Sequence, residues 1–420
     1  MSAPQHPAGP VLHILTGEYP PLMGGVADYT AAVASALAAR GVEVHVWTPR
    51  AGRSRLESSH VFTSNDLDAT RGRVLVEEFG DGWSPRSLRR LAARLDAFPA
   101  PRRLLVQWTP NAWGWKGMNL AFCRFLLARR RRGDDVRVMV HEVRYTLESS
   151  DGPARRVLAG VQRLMVATLM RAATRVDVAI PAWADRLCRD APRSRPPVVW
   201  RPVPNTIPRV DNPAQVARRR LDLAPAGAAI VGCFATCRGE VAAQLGQILP
   251  RVLDAQPSCV ALVIGRGAAA FVDDLNARRP RLAGRLNASD AVPAASISID
   301  LQACDLMLQP YPDGVSTRRT TIMAPLAHGV PAVTKLGRLS EPFWSTIQPV
   351  ALAPAHDPDA FVARALELLD SHAERVAIAR RGLRLYERCF AVERTVEALL
   401  SNAPTPPDPV AALAEPEPEA

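Results

Sequence analysis

The 420-residue sequence predicts an α/β protein made of two parallel-sheet domains. Three observations carry that reading. The chain is longer than one hydrophobic core usually serves. Its short apolar runs alternate with helical stretches, the order that builds parallel sheets covered by helices. Finally, Pro192, Pro196, Pro197, Pro202, Pro204 and Pro208 crowd a span that neither a helix nor a central strand tolerates, which places an interdomain linker there.

The elements follow in order. Residues 11–15 are an apolar run suited to a buried strand. A loop over 17–25 holds three glycines and Pro20-Pro21. Residues 26–40 are alanine-rich with apolar residues at helical spacing, and Gly41 stands where a helix closes on glycine. Residues 42–47 return as a strand, completing a βαβ unit. Further strands are predicted at 104–107, 137–141 and 176–180, with helices between them. After the prolines the rhythm resumes. Strands are predicted at 229–234, 260–264, 306–309 and 331–334, and helices at 241–253 and 321–328, the latter closed by Gly329. The predicted domains span 11–200 and 201–370. Helices over 371–402 are expected to pack back on the first domain, and the Pro-, Ala- and Glu-rich tail 403–420 is expected to be disordered.

Composition narrows the function. Hydrophobic residues make up 48% and charged residues 22%, as in ordinary globular chains. No run reaches the ~18 apolar residues of a spanning helix. No basic segment leads into an apolar run at the N-terminus, so a cytoplasmic protein is expected. Seven cysteines are too few for a disulfide scaffold in this length, and Cys233 and Cys237 lack a companion histidine, so they read as free thiols rather than metal ligands. The charge is uneven: residues 1–200 carry 29 Lys+Arg against 18 Asp+Glu, while residues 201–420 carry 23 of each. One half is thus expected to meet an anionic partner. Lys116 and Lys335 are the chain's two lysines.

Three constellations carry chemistry. Gly24-Gly25 opens a helix, where unsatisfied amides and the helix dipole welcome an anion, and glycine lets a ligand approach the backbone. This is not a dinucleotide fingerprint: Trp47-Thr48-Pro49, with no acidic residue, closes the second strand. His141-Glu142 stands at the end of a predicted strand, where open α/β sheets bind ligands. The nearby stretch Gln107-Trp108-Thr109-Pro110-Asn111, with Trp113 and Trp115, offers aromatic faces for sugar rings or, equally, for packing. The third is Asp313-Gly314-Val315-Ser316-Thr317-Arg318-Arg319-Thr320-Thr321, which brings two arginines, several hydroxyls and free amides to one helix start. That combination suits a diphosphate, each charge-assisted hydrogen bond contributing ~1.5–3 kcal/mol. Arg238 and Arg266 are further candidates for the same anion. Asp66-Leu67-Asp68 has the spacing of a metal–nucleotide motif but stands apart from the other candidates, so no metal is expected.

These residues resemble the GT-B retaining glycosyltransferases of family 4. Gly17-Glu18-Tyr19-Pro20-Pro21-Leu22-Met23-Gly24-Gly25-Val26 is similar to that family's YPPxxGG loop, and Ala261-Leu262-Val263-Ile264-Gly265-Arg266-Gly267 to its LxIxGxG strand. Ala303-Cys304-Asp305 through Pro310, followed by Ala327-His328-Gly329-Val330-Pro331, follows its ADxxxxPS … AxGxPVV order over roughly residues 11–400. The family's paired glutamates, E-x7-E, fall on Ser316 and Ala324, so this chain resembles a divergent branch.

The resemblance implies two Rossmann-like domains facing across a cleft and transfer of a sugar from a nucleoside diphosphate with retention, without metal or cofactor. It implies catalytic roles for His141, Arg318 and Arg319. Donor contacts would come from Gly24, Gly25, Arg238, Arg266, Asp313, Ser316, Thr317 and Thr320, and acceptor-side contacts from Glu18, Trp108 and Asn111. A role in cell-envelope polysaccharide biosynthesis would fit. The predicted helix carrying Arg124 and Arg129–Arg132 with Phe122, Phe125, Leu126 and Leu127 is amphipathic, and is expected to rest on an anionic membrane at the inner face. Two alternatives stay open: a non-catalytic sugar-nucleotide-binding protein of the same fold, and a nucleotide-sugar epimerase. Nucleic acid is not an expected partner, because no recognised motif accompanies the arginines.

Overall fold

A computed structural model of the chain describes residues 10–22, 24–49, 72–80, 82–145, 152–191, 193–194, 196–401 and 408–414. The chain divides into two compact units, one comprising Met1–Pro202 and Thr395–Thr405, the other Val203–Arg394 and Pro406–Ala420. The expected DxD pair, Asp66 and Asp68, lies outside the described residues.

In the first unit β1 (Val11–Thr16), α1 (Gly25–Ala39) and β2 (Glu43–Pro49) form the opening βαβ unit. There follow β3 (Val74–Phe79), α2 (Pro85–Asp96), β4 (Arg103–Trp108), α3 (Leu120–Arg131) and β5 (Asp135–Val140). α4 (Pro153–Ala172), β6 (Arg175–Val178), α5 (Pro181–Asp190) and β7 (Val198–Trp200) complete it. The strands form one parallel sheet in the order β3-β2-β1-β4-β5-β6-β7. β7 lies inside the proline-rich stretch expected to be linker; as a three-residue edge strand it tolerates prolines beside it.

The core of this unit is aromatic. Trp47, Trp108 and Trp113 are fully buried, and Trp113 stacks on Phe122 with centroids 3.9 Å apart. Trp108 donates its indole N–H to the Val143 carbonyl at 3.1 Å. Its expected acceptor-side role is therefore corrected: the ring is committed to packing. The arginine excess is partly absorbed inside the unit. Arg129 bridges Asp134 and Asp96, Arg144 and Arg163 hold Asp190, and Arg175 and Arg201 share Asp177. The Arg129 hydrogen bond in particular keeps the Asp96 carboxyl below its ordinary range. The apolar side of the helix expected to rest on a membrane is used in the same way. α3 turns Phe122, Cys123, Leu126 and Arg129 into the protein, so its apolar face is spent on the core, leaving Arg124, Arg130, Arg131 and Arg132 exposed.

The second unit runs α6 (Pro213–Leu223), β8 (Ile230–Phe234), α7 (Gly239–Ala255), β9 (Val260–Ile264), α8 (Ala268–Arg278) and β10 (Leu286–Ser289). Next come α9 (Ala294–Ala303), β11 (Leu306–Gln309), α10 (Thr320–His328), β12 (Ala332–Lys335), α11 (Phe343–Ile347), β13 (Ala351–Ala353) and α12 (Pro358–Asp370). Its parallel sheet has the order β10-β9-β8-β11-β12-β13. α13 (His372–Leu385), α14 (Val392–Ser401) and α15 (Pro409–Ala414) close the chain.

Two expectations about the C-terminus are corrected. α13 belongs to the second unit, where Gly382 packs so closely on Leu326 that a Cβ would lie 2.7 Å from Leu326 Cδ2. Only from Thr395 does α14 join the first unit, where Arg137 donates to the Leu399 carbonyl at 2.8 Å. The tail is not wholly structureless, because α15 forms within it and Arg388 donates to the Ala412 carbonyl. Among the described residues no helix is long and apolar enough to cross a membrane.

Both sheets are parallel and covered by helices, so their strands are near-continuous apolar runs and their polar residues gather at the ends. In each, the strand order reverses once, between β1 and β4 and between β8 and β11. Ligands of open α/β sheets bind at the carboxyl ends of the strands at such reversals.

Candidate functional site

At the reversal in the first unit, the loop after β1 is held by Thr16, whose hydroxyl donates to the Glu18 carbonyl at 2.8 Å. The Glu18 carboxylate turns back to accept from the Ala27 amide at 3.3 Å. Gly24 is extended, so its backbone does not require glycine, and a Cβ there would sit 2.7 Å from Glu18 Oε1, the far end of a flexible side chain. The anion at the start of α1 is therefore the protein's own. This corrects the donor role of Gly24, and it makes Glu18 a helix cap rather than an acceptor contact. Gly25 keeps open space around its Cβ position. Gly17 lies so close to Ala112 that any Cβ would clash with the alanine methyl, which draws the loops after β1 and β4 together and leaves Asn111 exposed beside them.

His141 stands one residue past β5, its amide donating to the Trp108 carbonyl at 2.9 Å. Its ring meets Tyr29 edge-on at 4.8 Å, and its Nε2 lies 2.8 Å from Gln107 Oε1. An amide oxygen only accepts, so Nε2 carries the hydrogen and Nδ1 is left as an acceptor. Burial drives the imidazole pKa down to about 3, so His141 is neutral at physiological pH. Gln107, whose Nε2 has no partner among the described residues, was not among the expected site residues. Its signal was a glutamine at the end of an otherwise apolar strand.

In the second unit, Arg238 is the exposed N-cap residue of α7. The Gly265-Arg266-Gly267 loop does not offer its amides outward. Asp290 accepts from Gly267 at 3.2 Å and from Ala269 at 3.3 Å, capping α8, while Gly265 (φ 112°) packs on the Ala235 carbonyl. Arg266 is exposed on this loop, beside a helix start that the carboxylate of Asp290 fills.

The segment before α10 divides into framework and presenting residues. Gly314 (φ 89°) lies against Gly337, whose backbone nitrogen leaves no room for a Cβ. Asp313 accepts from Arg318 at 3.2 Å and from Arg338 at 2.6 Å. Ser316 and Thr317 are fully buried. Thr317 donates its amide at 3.1 Å and its hydroxyl to Glu341, which also accepts from the Trp344 indole at 2.7 Å. Burial raises the Glu341 pKa above the ordinary carboxylate value despite these donors. Asp313 and Thr317 thus shape the loop from within, correcting their expected donor contacts, while the buried Ser316 hydroxyl has no hydrogen-bond partner among the described residues.

What the loop presents is Arg318, Arg319 and Thr320. The Arg319 guanidinium lies 4.7 Å from the Tyr311 ring centre, and the Tyr311 hydroxyl bonds Thr321 Oγ1 at 2.8 Å. Gln309 ties the edge together, donating to the Phe234 and Thr321 carbonyls at 3.1 Å each. Among the described residues, the starts of α7 and α10 take no side-chain cap, whereas those of α1 and α8 each take a carboxylate. The open helix starts therefore flank the reversal between β8 and β11, beside three arginines. This arrangement has the chemistry that suits a multiply charged anion. Among the described residues no cluster of three or more His, Cys, Asp or Glu is placed to hold a metal ion. Cys233 and Cys237 are free, and burial pushes the Cys237 thiol up to about 11.

No protein-family model matches the chain, and no curated protein is similar to it in sequence. Solved structures are similar over nearly the whole chain. One is sucrose-phosphate synthase from Thermosynechococcus elongatus, at 15% identity and a TM-score of 0.66, covering 94% of this chain and 98% of that one. A second is WaaG, a glycosyltransferase involved in lipopolysaccharide biosynthesis, at 13% identity and 0.63, with 93% and 99% covered. A third is Anabaena HepE in complex with UDP and glucose, at 15% identity and 0.61, with 93% and 98% covered. The chain shares their fold, and its α/β class with two Rossmann-like parallel-sheet domains is the one its sequence predicts.

Proposed function

We propose that the chain is a metal-independent glycosyltransferase that moves a sugar from a nucleoside diphosphate to an acceptor hydroxyl with retention of configuration. The observation that carries this reading is the pair Arg318 and Arg319 at the uncapped start of α10. In the reaction, the acceptor oxygen bonds to the anomeric carbon while the bond from that carbon to the diphosphate oxygen breaks. The electron pair stays on the diphosphate, and the hydroxyl proton passes to a phosphate oxygen. The two guanidinium groups and the α10 amides stabilise the charge that develops there, and preorganised charge of this kind is usually the main source of rate enhancement. Arg238 adds to it from the start of α7. The neutral His141 offers Nδ1 as an acceptor to a sugar hydroxyl, held in place by Gln107 and Tyr29.

Solved structures of similar fold carrying UDP and UDP-glucose support trying uridine donors first. The likeness to WaaG supports a saccharide acceptor in cell-envelope polysaccharide assembly. The exposed Arg124, Arg130, Arg131 and Arg132 support a cytoplasmic enzyme held to anionic lipid by charge alone.

A second reading, a sugar-nucleotide-binding protein without turnover, is favoured by the replacement of the two glutamates with Ser316 and Ala324, both fully buried. One experiment separates them. UDP, ADP and GDP are titrated by thermal shift against the wild type and Arg318→Ala/Arg319→Ala, and nucleotide release from the matching sugar nucleotides is assayed. Binding lost in the double variant, with release, supports the transferase. Binding without release under any acceptor supports the second reading. No binding by any diphosphate removes both.

A further inference from the structure

One buried charge in the second unit is unused by that reading. Lys335, the last residue of β12, is only 4% exposed, and its ammonium donates to the neutral Oε1 of Gln244 at 2.9 Å. No carboxylate pairs with it among the described residues; Glu240, one turn back along α7, acts on it only through space. Burial lowers its pKa, the mark of a charge short of compensation. A buried cation is ordinarily paired, because removal from water is unfavourable unless an anion answers it.

Its position says where that anion would come from. Successive residues of a strand face opposite sides, so Lys335 shares the side of Val333, which packs in one core cluster with Leu245 and Ile248 of α7. The ammonium therefore lies at the upper rim of that core, beside the first two turns of α7, whose start is uncapped and carries Arg238. The Lys335 carbonyl accepts from the Val315 amide at 2.8 Å, which joins the same residue to the segment bearing Arg318 and Arg319. In the middle of that segment the fully buried Ser316 hydroxyl has no hydrogen-bond partner among the described residues.

We propose that Lys335 is a donor-binding residue, the cation that meets the diphosphate from the α7 side while Arg318 and Arg319 meet it from the α10 side. This rests on the glycosyltransferase reading above, and adds to it the residue that completes the charge of its anion site. Bound diphosphate takes up to two of the three ammonium hydrogens, and Gln244 keeps one. In a chain whose cations are otherwise nearly all arginine, a lysine here supplies a compact charge where a planar guanidinium would need more room.

Because Lys116 and Lys335 are the chain's two lysines, lysine labelled with carbon-13 at Cε gives two side-chain resonances, assigned with Lys116→Arg. UDP, ADP, GDP and inorganic pyrophosphate are titrated, with uridine as the phosphate-free control. The expected result is that the diphosphates shift the Lys335 resonance and leave Lys116 unmoved, while uridine shifts neither. Lys335→Met should weaken diphosphate binding about tenfold or more, and Lys335→Arg should recover part of it. Diphosphate binding that leaves the Lys335 resonance in place, or that Lys335→Met does not weaken, overturns the assignment while the parent reading stands. The absence of any diphosphate binding by the wild type overturns both. The resonance experiment uses the wild-type side chain, so it decides the matter even if the methionine variant does not fold.

Discussion

His141 Nε2 and Gln107 Oε1 lie 2.8 Å apart at the carboxyl ends of neighbouring strands β5 and β4, so the glutamine decides which nitrogen of the imidazole is free. Replacing Gln107 with leucine removes that decision without touching the histidine. Turnover is expected to fall several-fold, and His141→Ala to lower it tenfold or more, with diphosphate affinity unchanged in both. Because His141 stays neutral down to about pH 3, the wild-type rate profile should show no inflection from this group between about pH 5 and 8. An inflection there that disappears in His141→Asn would refute the assignment.

His13 and His141 predict the direction of acid sensitivity. Burial, aided at His13 by the neighbouring His45, Arg102 and Arg129, lowers both folded-state values from 6.5 to about 3. The unfolded chain therefore binds more protons than the folded one between those limits. Stability is complete above about pH 6.5 and is lost as the pH falls toward 3, at up to ~1.4 kcal/mol per pH unit for each histidine. Urea titrations of the wild type and His13→Gln at pH 7 and pH 5 should show a smaller loss in the variant. Equal losses would mean that His13 is not buried in the neutral form.

Asp313 sets simple electrostatics against positioning. Removing a carboxylate beside an anion site should strengthen anion binding if charge alone mattered. Asp313 instead orients Arg318 and Arg338, so Asp313→Ala is expected to weaken diphosphate binding roughly three- to tenfold as measured by calorimetry. A gain in affinity would show that Arg318 needs no orientation.

The Glu341 hub should be a stability determinant. Glu341→Leu leaves the Thr317 amide and hydroxyl and the Trp344 indole without their acceptor, at a cost of ~2–4 kcal/mol. Gly314→Ala should also destabilise, because it meets both a left-handed backbone and the Gly337 nitrogen. Thermal melts of the two variants test this, and a Glu341→Leu melt within about 2 °C of the wild type would contradict it.

Much of this was legible in the sequence. β1, β2, β4, β5, β8, β9, β11 and β12 are apolar runs because parallel strands are covered on both faces, and Gly41 and Gly329 mark helix ends that require a left-handed residue. The arginines at the start of α10 were legible for the same local reason. β3 was not: it is a half-buried edge strand whose Glu77 and Glu78 interrupt the apolar signal, and β7, β10 and β13 are short or polar edges. The tertiary structure alone decided which polar residues face outward. Ser316 and Thr317 share the local pattern of Arg318 and Arg319, yet Glu341, 24 residues beyond Thr317, draws that residue inward. Glu18, from 9 residues away, fills the helix start that Gly24-Gly25 had marked as an anion site, and Asp290, from 23 residues away, fills the start of α8 beside Arg266. α3 has an amphipathic sequence, and only packing shows that its apolar side is already taken. Backbone preference and periodicity are local properties and can be read along the chain. Which helix start stays open, and which buried charge lacks a partner, depends on side chains brought from distant positions.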